Sequence, residues 1–328
     1  MQSSIILSRV PFRLPLGGGS TDMPSYYKKY GGFIFTAAIN MYMDVLIKAT
    51  RSDDLIHVHY KSFEAVPSVG EIRHELAREA LKMTGHEKGI AISFKADTPA
   101  GTGLGSSGAC SVALLKGLSA YNGNEMPSEE AAEKSFEITQ SLGLHDGKQD
   151  PYACALGGFS VLDIDTDGKV NVTKPVFAKE TVDKFLNNTL LFYTGVSRES
   201  DPILAAQDKE KVLELKHKTK AIGLEVYKAF QNGDLDRFGS LMDEHWRVKK
   251  SMSSQMANRR FDEIYEAAKN AGALGGKILG AGGGGYFLFY CPSQKSKESV
   301  RAALSGYGLR EMDFSIDYKG ARVRRVNF

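Results

Sequence analysis

The 328-residue chain has few of the features that mark membrane, secreted or nucleic-acid-binding proteins. Its longest apolar stretch, residues 286–291, is far shorter than the roughly 20 residues that span a bilayer. The N-terminus has neither a basic segment nor a long apolar run of the signal-peptide kind. The 42 Lys and Arg nearly balance the 39 Asp and Glu, without long runs of one sign. We therefore expect a cytoplasmic protein with neither a nucleic-acid nor a membrane partner.

Cysteine is also scarce, and its positions exclude the usual frameworks. Cys110, Cys154 and Cys291 lie far apart, and no C-x-x-C spacing occurs. A disulfide scaffold or a zinc site is therefore not expected, and each cysteine is expected to be a small buried side chain. With 42% hydrophobic and 25% charged residues, the composition is that of a globular protein, and the length suits two lobes.

Glycine, by contrast, is abundant and clustered. The 34 glycines concentrate at residues 17–19, 101–108 and 272–285. Clustered glycine is typical of backbone that turns tightly or closely approaches a ligand. The three clusters are therefore the first candidates for a binding site.

Hydrophobic periodicity predicts a mixture of strands and helices. The predicted strands are residues 4–10, 33–49, 55–60, 90–94, 158–164, 190–193 and 285–291. The predicted helices are residues 72–83, 107–121, one from 128, and 294–305, with a mostly helical stretch up to 271. Because strands and helices do not alternate regularly, the pattern favours an α+β fold. A composition shift near residues 175–195 predicts lobes at 1–185 and 186–328.

The second glycine cluster lies between a predicted strand and a predicted helix. Backbone N–H groups of such a loop and of the first helical turn converge on one point, which favours an anion such as a phosphate chain. Ser106 and Ser107 add hydroxyls that suit phosphate oxygens or Mg²⁺. The alternative is a glycine-rich turn whose serines only cap the helix.

Other nucleotide-binding motifs fit less well. Residues 103–108 match G-x-G-x-x-G, but about 20 residues later the chain begins a helix instead of ending a strand with an acid. The dinucleotide-binding interpretation therefore loses support. Lys277 is followed by Ile278 instead of Ser or Thr, which excludes a Walker A loop, and the protein-kinase motifs are absent.

In order and spacing, the segments 8–22, 99–108 and 277–285 resemble the three signatures of the GHMP kinases, which include galactokinase, homoserine kinase, mevalonate kinase and phosphomevalonate kinase. The resemblance implies a first lobe like domain 2 of ribosomal protein S5, a ferredoxin-like second lobe, and ATP bound between them.

Four further segments, 147–152, 193–200, 244–250 and 273–282, resemble the D-glycero-D-manno-heptose 7-phosphate kinases most, and then the fucokinases. This likeness implies transfer of the γ-phosphoryl group of ATP to the C1 hydroxyl of the heptose 7-phosphate, with Mg²⁺ as cofactor. Such an activity would feed the synthesis of nucleotide-activated heptose. The alternatives are a fucokinase-like enzyme acting on an unphosphorylated sugar, a relative that binds sugar without turnover, and a Rossmann dehydrogenase.

The resemblance also assigns roles to individual residues. Asp150 takes the position of the carboxylate that accepts the proton of the attacking hydroxyl, and Arg13 that of the arginine beside it. From the local sequence alone, Asp150 could instead cap a helix before Pro151, and Arg13 could be a surface cation. The ATP-binding residues that the resemblance implies are Pro99, Gly101, Gly103, Leu104, Gly105, Ser106, Ser107 and Gly108.

For Mg²⁺, the implied ligands are Ser107 and Glu137. Family members carry a glutamate 11 or 12 residues before the catalytic aspartate, but this chain has Thr139 and Ile138 there. Glu137 is the nearest acid, and a one-residue shift in the following loop would bring it into place.

The substrate-binding residues expected from the resemblance include cations for a sugar phosphate. They are Gly18, Gly19, Thr21, Asp22, Arg198, His245, Lys249, Gly282 and Gly283. Asp22 matches an aspartate that accepts sugar hydroxyls, although it could instead cap a turn. His245 and Lys249 are four residues apart and share a helix face. Lys249 and Lys250 could equally belong to a solvated helix surface.

Overall fold

A computed structural model describes residues 4–208, 212–253, 255–256 and 258–327 of the chain. Two β-sheets, each covered by helices, make up this part of the protein. The fold is of the α+β class, as the irregular alternation of elements predicts.

The first sheet is built on two long antiparallel strands. Its eight strands are β1 (Ser4–Gly17), β2 (Gly32–Ala49), β3 (Ile56–His59), β4 (Phe63–Val66), β5 (Ile90–Ala96), β6 (Phe159–Ile164), β7 (Val170–Thr173) and β12 (Arg322–Asn327). Their order is β12-β1-β2-β5-β3-β4, and β6 and β7 extend the sheet from the other half of β2. β1 continues through the first signature, with register shifts at Pro11/Phe12 and Pro15/Gly17. Proline lacks the N–H that a ladder needs, so irregularities occur beside it.

Five helices belong to this first lobe: α1 (Pro24–Tyr30), α2 (Glu75–Thr84), α3 (Ser106–Tyr121), α4 (Ser128–Ser141) and α5 (Gln149–Leu156). Most of α3 is buried, so its residues are small or apolar on nearly every side. A Cβ on Gly117 would lie 2.8 Å from Cδ1 of Ile47, and one on Gly108 would lie 2.6 Å from N of Pro151. Glycine at these two positions lets α3 pack closely on β2 and on the start of α5.

The second sheet has four strands: β8 (Thr189–Tyr193), β9 (Gly275–Ile278), β10 (Tyr286–Tyr290) and β11 (Arg310–Met312). The remaining helices are α6 (Lys179–Asn188), α7 (Asp201–Gln207), α8 (Leu213–Gln231), α9 (Leu235–Met252), α10 (Arg259–Asn270) and α11 (Gln294–Leu304). The strand order is β11-β8-β10-β9, and every pair is antiparallel. Along the chain, helices lie between β8 and β9 and between β10 and β11. With this strand order, the sheet has the split β-α-β arrangement of ferredoxin-like folds.

The lobe boundary differs from the expected one at the C-terminus. Residue 185 lies in α6, just before the second sheet begins, but β12 returns to pair with β1 of the first sheet. The cores are also continuous, since Phe230 of α8 packs against Phe35 and Phe159 of the first sheet. A second lobe that runs from 186 to 328 without interruption therefore does not describe the last strand.

The remaining sequence expectations concern burial and membrane spans. Cys110, Cys154 and Cys291 are free and buried, as expected. No helix among the residues described above combines the length and apolarity needed to cross a membrane.

Candidate active site

A cleft opens where the two lobes meet. It is bordered by the end of β1, the loop before α3, the start of α5, α7, α9 and the loop after β9. Twelve of the residues proposed from the sequence line it: Arg13, Gly19, Asp22, Gly101, Gly103, Gly105, Ser106, Ser107, Asp150, Arg198, His245 and Lys249. The fold thus brings together parts of all three glycine-rich signatures.

Arg13 and Asp150 form a salt bridge at the centre of this cleft. Nε and Nη2 of Arg13 donate to the same carboxylate oxygen, Oδ1 of Asp150, at 2.8 and 2.6 Å. Nη1 of Arg13 donates to the backbone oxygen of Gly103 at 2.6 Å. The arginine is only 3% exposed, so it is not a surface cation. Because both contacts fall on Oδ1, the other oxygen of Asp150 carries no contact from Arg13.

The helix-cap alternative for Asp150 does not describe this structure. α5 begins at Gln149, its N-cap position is Lys148, and no side chain caps it. Asp150 therefore lies inside the first turn, where its carboxylate faces Arg13 and also benefits from the positive end of the helix.

Asp22 contacts the same helix from the first signature. Its Oδ2 accepts the N–H of Gln149 at 2.8 Å, and its backbone oxygen accepts the N–H of Lys148 at 3.3 Å. A Cβ on Gly147 would lie 2.1 Å from this carboxylate, so glycine is required there. Burial raises the pKa of Asp22, and the charge of Asp150 adds to the shift. Asp22 does not cap α1, which has no side-chain cap.

Asp146 is a third carboxylate of the cleft, and the sequence analysis did not propose it. It lines the cleft just before α5. Burial raises the pKa of Asp146 to about 7, and the charges of Asp150, Asp201 and Asp22 contribute in the same direction. A carboxyl group with a pKa near neutrality suits proton transfer.

The loop before α3 is shaped for close approach of a ligand. Gly101, Gly103 and Gly105 have φ values of +74°, +83° and +80°, a region that glycine adopts without strain. A Cβ on Gly103 would lie 2.4 Å from the backbone oxygen of Leu279, so this loop also packs against the third signature. Ser106 and Ser107 begin α3, and neither hydroxyl contacts another described residue by a hydrogen bond. Free N–H groups and hydroxyls at a helix start suit phosphate oxygens.

Four basic residues line the other part of the cleft: Arg198, His245, Lys249 and Lys277, which we call the basic pocket. Nε of Arg198 donates to the backbone oxygen of Gly282 at 2.6 Å, and Nη1 donates to Ser200 Oγ at 2.6 Å.

The other three members of the basic pocket are almost completely buried. Nζ of Lys249 donates to the backbone oxygen of Gly280 at 2.6 Å. Nζ of Lys277 lies 3.2 Å from the backbone oxygen of Leu16 and 3.1 Å from Nδ1 of His245. Within the described part of the chain, no salt bridge joins the basic pocket to a carboxylate.

The electrostatics of the basic pocket follow from this lack of counter-charge. Burial, together with the charges of Arg198 and Arg13, lowers the pKa of Lys249 to about 8, against the opposing effect of Asp22 and Asp150. Burial and the charge of Lys249 lower the pKa of Lys277 well below its ordinary value. Burial likewise lowers the pKa of Arg198 to about 10. Positive charge is therefore costly here until an anion binds.

Two buried polar atoms of the basic pocket have no hydrogen-bond partner among the described residues: Nη2 of Arg198 and Nε2 of His245. A buried donor without a partner costs free energy, so such atoms usually meet a ligand or water. Both belong to residues that line the cleft, which favours an anionic ligand there.

Lys249 and its neighbour Lys250 take different roles. Lys249 is 6% exposed and lines the cleft, whereas Lys250 extends along the surface and donates to Oδ1 of Asp262 at 2.8 Å. The solvated-surface interpretation therefore describes Lys250 and not Lys249.

Three residues proposed as ATP-binding do not line the cleft. Pro99 is exposed, and its backbone oxygen accepts the hydroxyl of Thr102. Leu104 is fully buried, with its backbone oxygen bonded to N of Arg13. Gly108 provides the close contact of α3 with α5 described above. Leu104 and Gly108 thus hold the loop and the start of α3 in place.

The same holds for four proposed substrate-binding residues. Oγ1 of Thr21 lies 2.7 Å from the backbone oxygen of Gly18 and 2.9 Å from that of Phe33, either of which can accept its proton, and this closes the turn of the first signature. Gly282 and Gly283 have positive φ and pack against the 255–256 segment, and Gly282 supplies the oxygen that holds Arg198.

The structure does not place Glu137 where a Mg²⁺ ligand is expected. α4 buries the face that carries Phe136, Ile138 and Thr139, so Glu137 lies on the opposite, exposed face and does not line the cleft. We do not retain Glu137 as a metal ligand. In the described ranges, no group of three or more His, Cys, Asp or Glu side chains is arranged to hold a metal ion. Mg²⁺ commonly keeps several waters and uses substrate phosphates, so Ser107 fits as a ligand.

Two further residues tie α7 across the cleft. Oγ of Ser20 donates to Oε1 of Gln207 at 2.5 Å, and Nε2 of Gln207 donates to the backbone oxygen of Ala281 at 3.2 Å. Ser20 has a φ of +72°, which is unusual for a residue with a side chain. Ser20 lies within the first signature but was not among the expected site residues, and Gln207 lies in none of the motifs.

Comparison with known proteins agrees with this geometry. The description "GHMP kinases N terminal domain" matches residues 71–158, and "GHMP kinases C terminal" matches residues 226–308, together more than half of the chain. A D-glycero-alpha-D-manno-heptose 7-phosphate kinase from Campylobacter jejuni is 27% identical over 98% of this chain and 99% of its own length. An L-fucokinase/L-fucose-1-P guanylyltransferase from Bacteroides fragilis is 24% identical, and the match covers 98% of this chain but 38% of that longer protein.

Among solved structures, a D-glycero-D-manno-heptose 1-phosphate kinase from Bacteroides thetaiotaomicron superposes with a TM-score of 0.80. It is 26% identical, with 98% of this chain and 99% of the other covered. Both lobes thus have counterparts in one family. The chain belongs to the GHMP kinases and is a phosphotransferase with an alcohol group as acceptor.

Proposed function

We propose that this protein is an ATP- and Mg²⁺-dependent sugar kinase that phosphorylates the C1 hydroxyl of D-glycero-D-manno-heptose 7-phosphate. The observation that carries the proposal is the basic pocket, which holds four basic residues without a carboxylate partner beside the Arg13–Asp150 pair. A phosphate on the acceptor would supply the missing negative charge. The full-length likeness to a heptose 7-phosphate kinase supports the same acceptor.

In this proposal, Asp150 accepts the proton of the attacking hydroxyl. Arg13 occupies Oδ1, so the other carboxylate oxygen is available to the sugar. An anomeric hydroxyl is more acidic than an ordinary alcohol, so a carboxylate is an adequate base. Arg13 also lies where it can offset negative charge as the phosphoryl group is transferred. Asp22 would accept hydrogen bonds from other sugar hydroxyls.

The glycine loop would hold the phosphates of ATP. The N–H groups at the start of α3 and the hydroxyls of Ser106 and Ser107 are the proposed donors. Ser107 is also the proposed protein ligand of Mg²⁺, which offsets the charge of the nucleotide phosphates when it is bound. Gly101, Gly103 and Gly105 let the loop follow its tight path, since their φ values are positive and Cβ atoms there would press on neighbouring protein atoms.

The alternatives are weaker on this geometry. A fucokinase-like enzyme would take a sugar without a phosphate, which leaves the basic pocket without counter-charge. A sugar-binding protein without turnover would not need the Arg13–Asp150 pair. The solved relative is named for a heptose 1-phosphate, so the position of the acceptor phosphate must be tested and not assumed.

The test is a coupled assay of ADP release with ATP and Mg²⁺. The acceptors are D-glycero-D-manno-heptose 7-phosphate, the corresponding 1-phosphate, L-fucose, galactose and mannose. We expect turnover with the 7-phosphate and a 1,7-bisphosphate product by ³¹P NMR. Turnover with free fucose alone would contradict the proposal and support the fucokinase alternative.

A further inference from the structure

Lys277 is a buried lysine whose contacts join the two lobes. It lies on β9 of the second sheet and is 2% exposed. Its Nζ lies 3.2 Å from the backbone oxygen of Leu16 at the end of β1, and 3.1 Å from Nδ1 of His245 on α9. An ammonium group has three N–H donors, so one remains after these two contacts. Lys277 is one of the residues that line the cleft.

The contact with Lys277 also determines the tautomer of His245. When the ammonium donates to Nδ1, the neutral imidazole carries its proton on Nε2. Nε2 is buried and has no hydrogen-bond partner among the described residues, and His245 itself is 1% exposed. One lysine thus leaves two donors without acceptors, its own third N–H and the Nε2–H of His245.

The surroundings of these donors are basic. The charged groups that change the pKa of Lys277 are Lys249 and Arg13, and both are positive. The oxygen atoms that Lys277 and Lys249 contact are neutral carbonyls. A buried ammonium without a counter-ion is unfavourable, so stability alone would favour an apolar residue at position 277. Retaining a lysine at this cost is typical of a binding function.

We infer that Lys277 is a specificity-determining residue that binds an anionic group of the acceptor, through its own free N–H and through the His245 tautomer that it fixes. This inference rests on the proposed function, because it names the acceptor's phosphate as the group that Lys277 and His245 bind. The hydrogen bonds of Lys277 go to Leu16 and His245 and, among the described residues, not to the glycine loop or to the Arg13–Asp150 pair, so its removal should change acceptor choice more than transfer.

The experiment compares K277M with the wild type and with K297M. Lys297 of α11 is a matched control. It is also buried, its Nζ donates to the backbone oxygen of Asn187, and it does not line the cleft. In K277M we expect KM for the heptose 7-phosphate to rise about 30- to 100-fold, as for loss of a charged hydrogen bond. KM for the dephosphorylated heptose and Kd for ATP should change less than about threefold. K297M should match the wild type in all three.

A purely structural role for Lys277 predicts a different set of results. If the lysine only joined the lobes, K277M would lower Tm and affect both sugars equally, and that result would overturn the inference. We expect its Tm to equal or exceed that of the wild type, because an unpaired buried charge is removed. H245Q, which retains an N–H near the position of Nε2, should keep KM for the phosphorylated sugar within about fivefold, and H245L should not.

Orthophosphate separates failure of this inference from failure of the proposed function. With the nucleotide site filled by a non-hydrolysable ATP analogue, phosphate should raise Tm of the wild type and K297M but not of K277M. If no sugar is turned over but this difference persists, the proposed function fails and the anion-binding role of Lys277 stands. If sugar is turned over but phosphate stabilises K277M as well as the wild type, the inference fails and the function stands.

Discussion

The Arg13–Asp150 pair and the basic pocket differ in whether their buried positive charges have a carboxylate partner. In one part, buried Arg13 is paired with Asp150 and places two N–H groups on one carboxylate oxygen. In the other, Lys249 and Lys277 are equally buried but contact only neutral atoms. The buried cation of the first part has a carboxylate partner, whereas the two buried lysines of the second form no salt bridge in the described part of the chain.

In the proposed function, this difference separates the two tasks of a kinase that acts on a charged acceptor. A paired Arg and Asp hold the catalytic groups in place before the substrate arrives, which suits the transfer step. Unpaired buried cations cost stability until an anion binds, which suits recognition of that anion. Substitutions in the paired part should therefore lower kcat and stability. Substitutions in the basic pocket should raise KM for the phosphorylated acceptor and leave stability equal or higher.

The largest effect is expected for D150N. Loss of the proposed base should lower kcat about 10³-fold while Kd for ATP changes less than about twofold. Steady-state kinetics and nucleotide titration measure the two quantities, and D163N, an exposed aspartate of β6 in the same lobe, is the control. If D150N stays active and D146N does not, the base is Asp146, whose pKa is raised to about 7.

R13M should break the Arg13–Asp150 pair while keeping all four residues of the basic pocket. We expect kcat to fall about 100-fold, and the free energy of unfolding to fall by about 2 kcal/mol, because Asp150 loses its charged hydrogen bonds. Denaturant unfolding measures the second effect. An R13M protein as stable as the wild type would show that the pair contributes nothing to the fold.

K249M should have the opposite effect on stability. It removes a buried, unpaired charge, so Tm should equal or exceed that of the wild type, while KM for a phosphorylated acceptor rises about 30-fold. The adjacent K250M is the control, since Lys250 pairs with Asp262 at the surface. Equal KM changes for phosphorylated and dephosphorylated sugar would place the phosphate elsewhere.

The smallest effect is a pH dependence. Because the pKa of Lys249 is lowered to about 8, kcat/KM for the phosphorylated acceptor should fall as pH rises above about 8, when the lysine loses its charge. Between pH 8 and its ordinary pKa, the unfolded chain binds more protons at this residue than the folded one, so its cost to stability shrinks as pH rises. The Tm advantage of K249M over the wild type should therefore diminish from pH 7.5 to pH 9.5.

Local sequence pattern predicted much of the fold. The glycine clusters, α3 and the main strands follow from residue type and period, and the resemblance indicated that Arg13 and Asp150 would meet across 137 residues. The sequence placed Lys249 on the helix face of His245 but left Lys249 and Lys250 undecided, because only the structure shows that this face is buried.

The remainder depended on contacts between distant segments. Glu137 was misplaced because the buried face of α4 is set by its packing neighbours and not by its own sequence. Asp146 and Lys277 were missed because their unusual environments arise only when other lobes and loops close around them. The return of β12 to the first sheet likewise has no local signal.

The most direct test of this account compares kcat/KM of the wild-type protein for D-glycero-D-manno-heptose 7-phosphate and for the same heptose without its phosphate, at saturating ATP and Mg²⁺. If the basic pocket recognises the acceptor's phosphate, we expect a preference of about 100-fold or more for the phosphorylated sugar. Equal values, or a preference for the free sugar, would contradict the division of the cleft into a catalytic part and an anion-recognising part.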